Sequence, residues 1–254
     1  MTNLKQRLQN GEKIMGTMVC TFFQPEIINM LQVCGFDYII IDGEHSSVDY
    51  STMSQLLGRA RALNMPTVVR VPEARREVVL KYMEAGAYGL LLPNCNTAEQ
   101  AKALVEYSKY YPMGNRGVSM MRQHNGYKPV ANAGDYMNQT NRDTILMAQI
   151  ESPESLKNLD EILKVDGIDA AFVGPNDLSQ SMGIMGQYDN PRFTEAMDHV
   201  ISTAKKNNKF SGVHFTTPPE TILPYMEKGM SLNLWSNDIL LLMSSAKSGL
   251  EALK

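Results

Sequence analysis

The sequence predicts an α/β fold, a single (β/α)8 barrel spanning residues 1–254 with a short helix at its N-terminus, and three observations predict it. Short apolar runs alternate with helical patterns in eight successive pairs. The length of 254 residues matches that of such a barrel. Polar residues with chemical capacity collect where the strands end, not where they begin.

Taken in order, Asn3 to Asn10 reads as a short helix closed by Gly11. Gly16 to Phe23 is the first strand, and Pro25 to Cys34 is a helix ending at Gly35. Phe36 to Ile41, apolar at nearly every position, is a second strand covered on both faces; it runs into Asp42-Gly43-Glu44-His45. A helix from about Tyr50 to Asn64 precedes strand three, Thr67 to Val71, and Arg75 to Ala85, closed by Gly86, is the next helix. Strand four is Gly89 to Pro93, with its helix from Ala98 to Tyr110. Residues 111–142, rich in Gly, Asn, Met and Arg, break the rhythm, and an irregular segment of that length predicts an active-site loop or lid.

Strand five, Leu146 to Glu151, and strand six, Ala170 to Asp177, flank a helix from Pro153 to Lys164, which starts Ser-Pro-Glu and spaces Leu156, Leu159, Ile162 and Leu163 helically. A Gly-rich connection leads to a helix from Pro191 to Asn207, strand seven from Gly212 to Phe215, and a helix from Pro219 to Lys228. Strand eight, Leu232 to Trp235, and a last helix from Asp238 to about Ala252 complete the chain. No Gly-x-Gly-x-x-Gly follows the first strand and no Gly-x-x-x-x-Gly-Lys-Ser/Thr occurs, which disfavours a nucleotide-binding open sheet.

In parallel α/β folds ligands sit at the carboxyl ends of strands, so Glu151 and Asp177 face one mouth from neighbouring strands, and two acids there make a hard-cation site. A lone acid at a strand end is often only the N-cap of the next helix, as Asp177 before Leu178-Ser179 could be. Gln149, two residues before Glu151 and on the same face of its strand, favours the metal site. His45, one of 4 histidines, is the natural proton carrier, with Asp42 near enough to orient its ring. Arg70 follows Thr67, Val68 and Val69 in a strand that should be buried, so its guanidinium needs anions. Either a structural acid such as Glu84 or a substrate carboxylate or enolate oxygen supplies them, and the substrate is the favoured reading.

With 43% hydrophobic and 20% charged residues and a formal net charge of −3, the chain offers no basic field for nucleic acid or an anionic membrane. No apolar stretch approaches a membrane span, and Met1-Thr2-Asn3-Leu4-Lys5 lacks the apolar core of a signal peptide. Cys20, Cys34 and Cys95, odd in number and in apolar company, read as structural thiols in a reducing cytoplasm. The last helix carries five consecutive apolar residues, 239–243. A helix packed only on its own barrel should keep one polar face, so a homo-oligomer is expected, with burial under residues 3–10 as the alternative.

Several strings together resemble one family: Phe36-Asp37-Tyr38-Ile39-Ile40-Ile41-Asp42-Gly43-Glu44-His45, Val69-Arg70-Val71-Pro72, Tyr111-Pro112-Met113-Gly114-Asn115-Arg116-Gly117-Val118, Gln149-Ile150-Glu151 and Val173-Gly174-Pro175-Asn176-Asp177-Leu178-Ser179. They closely resemble the HpcH/HpaI class II pyruvate aldolases, in order and over nearly the whole chain. Members of that family are TIM barrels that use a divalent metal ion to cleave 4-hydroxy-2-oxo acids to pyruvate and an aldehyde. The resemblance implies that Glu151 and Asp177 bind Mg²⁺, Mn²⁺ or Co²⁺ and that Arg70 binds pyruvate. His45 would be the acid/base residue with Asp42 beside it, and Gln149 a contact to the metal's water. Backbone N–H groups after Gly174-Pro175, at Asn176 and beyond, would receive the pyruvate carboxylate. It also implies a trimer of dimers with exchanged last helices, in which neighbouring subunits complete each site.

The residue types suit this chemistry on their own, because two carboxylates leave a divalent ion positive with open positions for substrate. No lysine stands at a strand end with the company of a Schiff-base nucleophile, since Lys81, Lys102 and Lys128 fall in helices or the long loop. Departures from the family pattern are Glu84, where relatives often carry a shorter acid, the polar end Trp235-Ser236-Asn237-Asp238, and the segment from Met120 to Asn125. They leave the aldehyde open. The other readings are a metal-dependent lyase acting on a CoA thioester, which would need a basic cluster, and a catalytically silent oxo-acid-binding barrel.

Overall fold

Eight parallel strands pair in sequence order, β1 to β8, and β8 pairs back onto β1 to close a barrel. This is the predicted (β/α)8 TIM barrel. The computed structural model describes residues 3–254; Met1 and Thr2, which begin the stretch read as lacking a signal peptide's apolar core, lie outside the described residues. In chain order the first half comprises α1 (Leu4–Gln9), β1 (Ile14–Val19), α2 (Glu26–Val33), β2 (Tyr38–Asp42), α3 (Tyr50–Ala62), β3 (Thr67–Arg70), α4 (Arg76–Glu84), β4 (Gly89–Leu92) and α5 (Ala98–Ser108). There follow α6 (Ala133–Asp143), β5 (Ile145–Ile150), α7 (Pro153–Lys157), α8 (Leu159–Leu163), β6 (Ala170–Val173), α9 (Pro175–Ser181), α10 (Pro191–Lys206), β7 (Phe210–Phe215), α11 (Leu223–Lys228), β8 (Leu232–Asn237) and α12 (Asp238–Ala252).

The period of two along each strand divides the apolar residues into two cores. Tyr38 and Ile40 of β2 join Met18, Val68, Leu91, Met147, Phe172 and Leu234 inside the barrel, whereas Ile39 and Ile41 join the layer under the helices. Leu4 and Leu8 of α1 belong to the inner core, and the Leu4 N–H donates to the Tyr88 hydroxyl at 2.9 Å, so α1 plugs the end where the strands begin. That leaves the carboxyl ends as the open mouth.

Glycine sets how closely the strands approach. A Cβ on Gly212 would lie 1.6 Å from the Leu232 carbonyl oxygen. Gly212→Ala is expected to cost at least about 3 kcal/mol through displaced strands. Gly249→Ala, with nothing within 4 Å of the added carbon, should be neutral or stabilise by up to about 1 kcal/mol; urea unfolding of both variants checks the contrast.

Several boundaries differ from the expectation for local reasons. β1 ends at Val19 because the next N–H groups, of Cys20, Thr21 and Phe22, donate to the Asp238 carboxylate and not to a neighbouring strand. The helix expected from Pro153 to Lys164 is interrupted at Asn158, whose amide donates to the Asn96 carbonyl. A further helix, α9, starts directly after β6 with Gly174 as N-cap and Pro175 at N1. The expected helix from Pro219 begins instead as a 3-10 turn, Pro219–Thr221.

The largest correction concerns residues 111–142. The end of this segment is α6, capped by Asn132, and Gln123–Asn125 forms a 3-10 turn. Nor does it cover the mouth of its own barrel. The Gln123 amide donates to the Ser54 and Ala85 carbonyls, and His124 lies 3.5 Å from Glu84 at the C-terminus of α4, at the plugged end. Lys109, only 1% exposed, anchors the far side: its Nζ donates to the carbonyls of Asn141 at 2.7 Å and Thr144 at 2.6 Å.

α12 leaves the barrel soon after it starts. Asp238 is its one buried residue, and Leu242 and Met243 are 57% and 62% exposed. The alternative that this helix tucks under residues 3–10 is therefore not what the structure shows. Among the described residues no helix is long and apolar enough to cross a membrane.

Candidate active site

The mouth holds a cavity of about 270 Å³, lined by strand-end residues from seven strands: Cys20, Asp42, Arg70, Gln149, Gly174, His214 and Asn237 among them. The sequence-predicted His45, Pro175, Asn176 and Asp177 line it too.

Arg70 is its fixed cation. Nε and one terminal nitrogen donate to the two Asp42 oxygens at 2.9 and 2.8 Å, a bidentate fork made possible by the β2–β3 register, which sets Asp42 beside Arg70. Burial disfavours both charges, but the fork overcomes it: the Asp42 carboxyl is held below its usual range and the Arg70 guanidinium above. The structural partner of Arg70 is thus Asp42 and not Glu84, which sits at the plugged end 2.8 Å from Arg116. The other guanidinium nitrogen has only Glu44, at 3.4 Å, and remains able to meet a ligand oxygen.

The role expected of Asp42 toward His45 is also corrected. Asp42 accepts the backbone N–H groups of Glu44 and His45 and so shapes their turn. The imidazole itself is 66% exposed, with Glu44 the nearer acid at 3.6 Å.

Glu151 lies immediately after β5, 4% exposed. One oxygen accepts the Asn94 N–H at 2.7 Å and the other the Gln149 amide at 2.8 Å. A Cβ on Gly174 would stand 2.5 Å from that second oxygen, so glycine is required where β6 passes the acid. Burial, and then the negative charges of Asp177 and Glu44, push the Glu151 carboxyl up to about 7, although the Asn94 N–H opposes the shift. The Gln149 amide oxygen is buried with no hydrogen-bond partner. Asp177 stands in the first turn of α9, exposed and not its N-cap, so the simple capping role does not account for it.

This donor set fits a hard divalent cation. An acid whose negative charge is disfavoured, a second carboxylate beside it and an orphaned amide oxygen present oxygen ligands only. Among the described residues no three His, Cys, Asp or Glu side chains converge on one point. The protein would supply two carboxylates and leave the remaining positions to water or substrate.

Other residues prove to be supports. Asn176 accepts a hydrogen bond from Tyr188. Trp235 packs in the outer layer and donates to the Thr217 carbonyl, and Asp238 ties the β1 end by its three backbone contacts. The Cys20 and Cys95 thiols are pushed up to about 12 by burial, as inert thiols should be, but Cys34 is exposed and lacks the apolar company expected of it.

Sequence reasoning overlooked His214. It lies two residues beyond Gly212 on β7 and hence on the same, inner face, and that alternation was the available signal. Its Nε2 is 2.8 Å from the Ser236 carbonyl oxygen. Burial, reinforced by the charge of Arg70, pushes its pKa down to about 4 despite the Ser236 bond and nearby Asp42. An unfolded histidine titrates near 6.5, so between about 4 and 6.5 the unfolded chain binds more protons and stability falls as pH falls. The His214→Phe variant should lose less stability than the parent between pH 7 and pH 5, by at most about 1.4 kcal/mol per unit within that window. Urea titrations at the two pH values measure it.

The sequence model of the HpcH/HpaI aldolase/citrate lyase family matches residues 18–230. The chain belongs to that family. Among members of the HpcH/HpaI family, a 5-keto-4-deoxy-D-glucarate aldolase of Klebsiella pneumoniae is 31% identical over 236 residues, covering 92% of this chain and 90% of the relative. The crystal structure of an HpcH/HpaI aldolase from Desulfitobacterium hafniense is also 31% identical, with a TM-score of 0.94 over 99% of this chain and 96% of the other. A citrate synthase structure, 25% identical, superposes with a TM-score of 0.88 over 99% and 97% of the two chains. Family membership makes this protein an enzyme of the aldolase and carbon–carbon lyase kind.

Proposed function

We propose that this HpcH/HpaI enzyme is a divalent-metal-dependent pyruvate aldolase, cleaving a 4-hydroxy-2-oxo acid to pyruvate and an aldehyde. Breaking the C3–C4 bond requires removal of the C4 hydroxyl proton and stabilisation of the enolate left on the pyruvate half. Glu151 and Asp177 would hold a divalent cation, Mg²⁺, Mn²⁺ or Co²⁺, and that ion would supply Lewis acidity. Arg70, held in advance by Asp42, places fixed positive charge where the enolate oxygen develops. At the start of α9 no side chain caps the first N–H groups, so those of Asn176 and Asp177 are available to the substrate carboxylate. His45, open to solvent, takes the C4 hydroxyl proton and releases it.

The observation that carries this reading is the meeting, at one mouth, of a pre-set guanidinium and a buried acid that disfavours its own charge, set just behind the cavity-lining Gln149 and Gly174. The relative named as a 5-keto-4-deoxy-D-glucarate aldolase supports a sugar-acid origin for the substrate. Proton NMR in D2O tests the division of labour. His45→Ala should reduce cleavage of a 4-hydroxy-2-oxo acid by about 100-fold or more and reduce exchange at pyruvate C3 far less, because exchange involves no hydroxyl proton. Equal losses would make His45 a general enolisation base.

The same reading includes a homo-oligomer, a hexamer built as a trimer of dimers. An apolar groove of about 550 Å³ between α2 and α12, lined by Ile27, Met30, Leu31, Leu241 and Leu242, is left without cover, and a second copy's last helix suits it. Residues 111–142, remote from their own mouth, would contribute to a mouth only in another copy. Light scattering at micromolar concentration should give a multiple of the 28.4 kDa chain mass; a monomer contradicts the assembly.

A further inference from the structure

The mechanism above gives His214 no task, yet its ring lines the mouth cavity beside Thr216 and Asn237. Its tautomer follows from its one hydrogen bond. The Ser236 carbonyl oxygen, 2.8 Å from Nε2, can only accept, so Nε2 carries the hydrogen and Nδ1 of the neutral ring is a bare acceptor. Ser236 holds that carbonyl through a left-handed backbone turn, φ 61°, just before the α12 cap Asn237. Burial and Arg70 keep the ring neutral at physiological pH. Among the described residues no donor reaches Nδ1, and the nearby inner wall includes the apolar Met18 and Phe172. A bare acceptor on the cavity wall is selective for a ligand that brings a donor, because an alkyl group seated against it leaves it unmet.

The pyruvate half of the substrate carries no hydroxyl and the C4 hydroxyl is assigned to His45, so the donor is a further hydroxyl of the aldehyde half. We infer that His214 is a specificity-determining residue, which accepts a hydrogen bond from a hydroxyl of the aldehyde half and thereby selects hydroxylated over alkyl aldehydes. The inference rests on the aldolase reading and extends it to a substrate class.

The test runs the reaction as aldol addition of pyruvate to two pairs of aldehydes, glycolaldehyde against acetaldehyde and glyceraldehyde against propanal. The parent enzyme should favour the hydroxylated member of each pair in kcat/KM, and His214→Phe should reduce that ratio by about tenfold or more. His214→Gln, whose amide oxygen can accept, should retain part of the preference. The ratio is the decisive quantity because damage to folding lowers both rates together and leaves it unmoved. If the phenylalanine variant does not fold, His214→Leu against His214→Gln gives the same comparison. A ratio within about twofold of the parent in the apolar variants, or a parent without preference, overturns the assignment while leaving the aldolase reading intact. Parent enzyme that neither adds pyruvate to any aldehyde nor exchanges its C3 protons overturns both.

Discussion

Arg70→Ala is expected to lower pyruvate release from a 4-hydroxy-2-oxo acid by about 10³-fold, the usual consequence of removing a pre-positioned charge from a developing oxyanion. The loss should appear in kcat more than in KM, because the enolate oxygen gains its full charge only as the C3–C4 bond breaks. Arg70→Lys should restore little of it, since one ammonium can span neither both Asp42 oxygens nor the distance to substrate in the same geometry. Asp42→Ala should be nearly as damaging by a different route: the guanidinium stays but loses its fork, and an unpaired buried charge costs about 3–5 kcal/mol. A double variant lacking both residues should unfold at a higher denaturant concentration than either single variant, because neither charge is then stranded. Activity of Arg70→Ala within tenfold of the parent, in protein of normal stability, would remove Arg70 from the chemistry.

The second large effect is expected at the carboxylates. Glu151→Gln and Asp177→Ala should each weaken Mn²⁺ binding by at least about 100-fold, and pyruvate release should fall with it. Glu161→Ala, on the exposed surface of α8, should change neither. Glu151→Gln separates metal loss from misfolding, because its amide oxygen can still accept the Asn94 N–H and no buried negative charge remains. Its stability should match or exceed that of the metal-free parent. Isothermal titration with Mn²⁺ reads the binding, and equal effects at all three positions would point to folding instead.

The barrel was legible because buried parallel strands leave an unmistakable pattern. Phe36 to Ile41 is apolar on both faces, and a polar group follows where the run stops. Parallel pairing then sends those ends to one mouth, which is why Asp42, Arg70, Gln149, Glu151 and Asp177 can be gathered from the sequence alone. What pairs with what was less accessible. The structural partner of Arg70 depends on the β2–β3 register, a non-local property, and it is Asp42, whereas Glu84, the acid offered as the alternative to substrate, pairs with Arg116. The helix at residues 133–143 could not be read from the sequence because α6 buries Asn141 and no apolar residue. Polar ties to Lys109 and Tyr110 hold it, and they leave no hydrophobic period to read. His214 was hidden for the opposite reason: within an apolar strand it looks like a satisfied core histidine until the layers of the barrel are counted. The run 239–243 was informative because its excess of apolar surface had no use on its own barrel, and α12 indeed leaves Leu242 and Met243 exposed.

The most direct test of the metal-dependent aldolase mechanism is release of pyruvate from a panel of 4-hydroxy-2-oxo acids, measured before chelation, after exhaustive chelation, and after restoring Mg²⁺, Mn²⁺ or Co²⁺. Without a cation the mouth carries Glu151, Asp177 and Glu44 with only the Asp42-bound Arg70 to oppose them, too little positive charge to hold a dianion-like enolate. Release should therefore fall to the uncatalysed background on chelation and return when the ion is restored. Pyruvate release that continues at its original rate in the metal-free protein would contradict the mechanism.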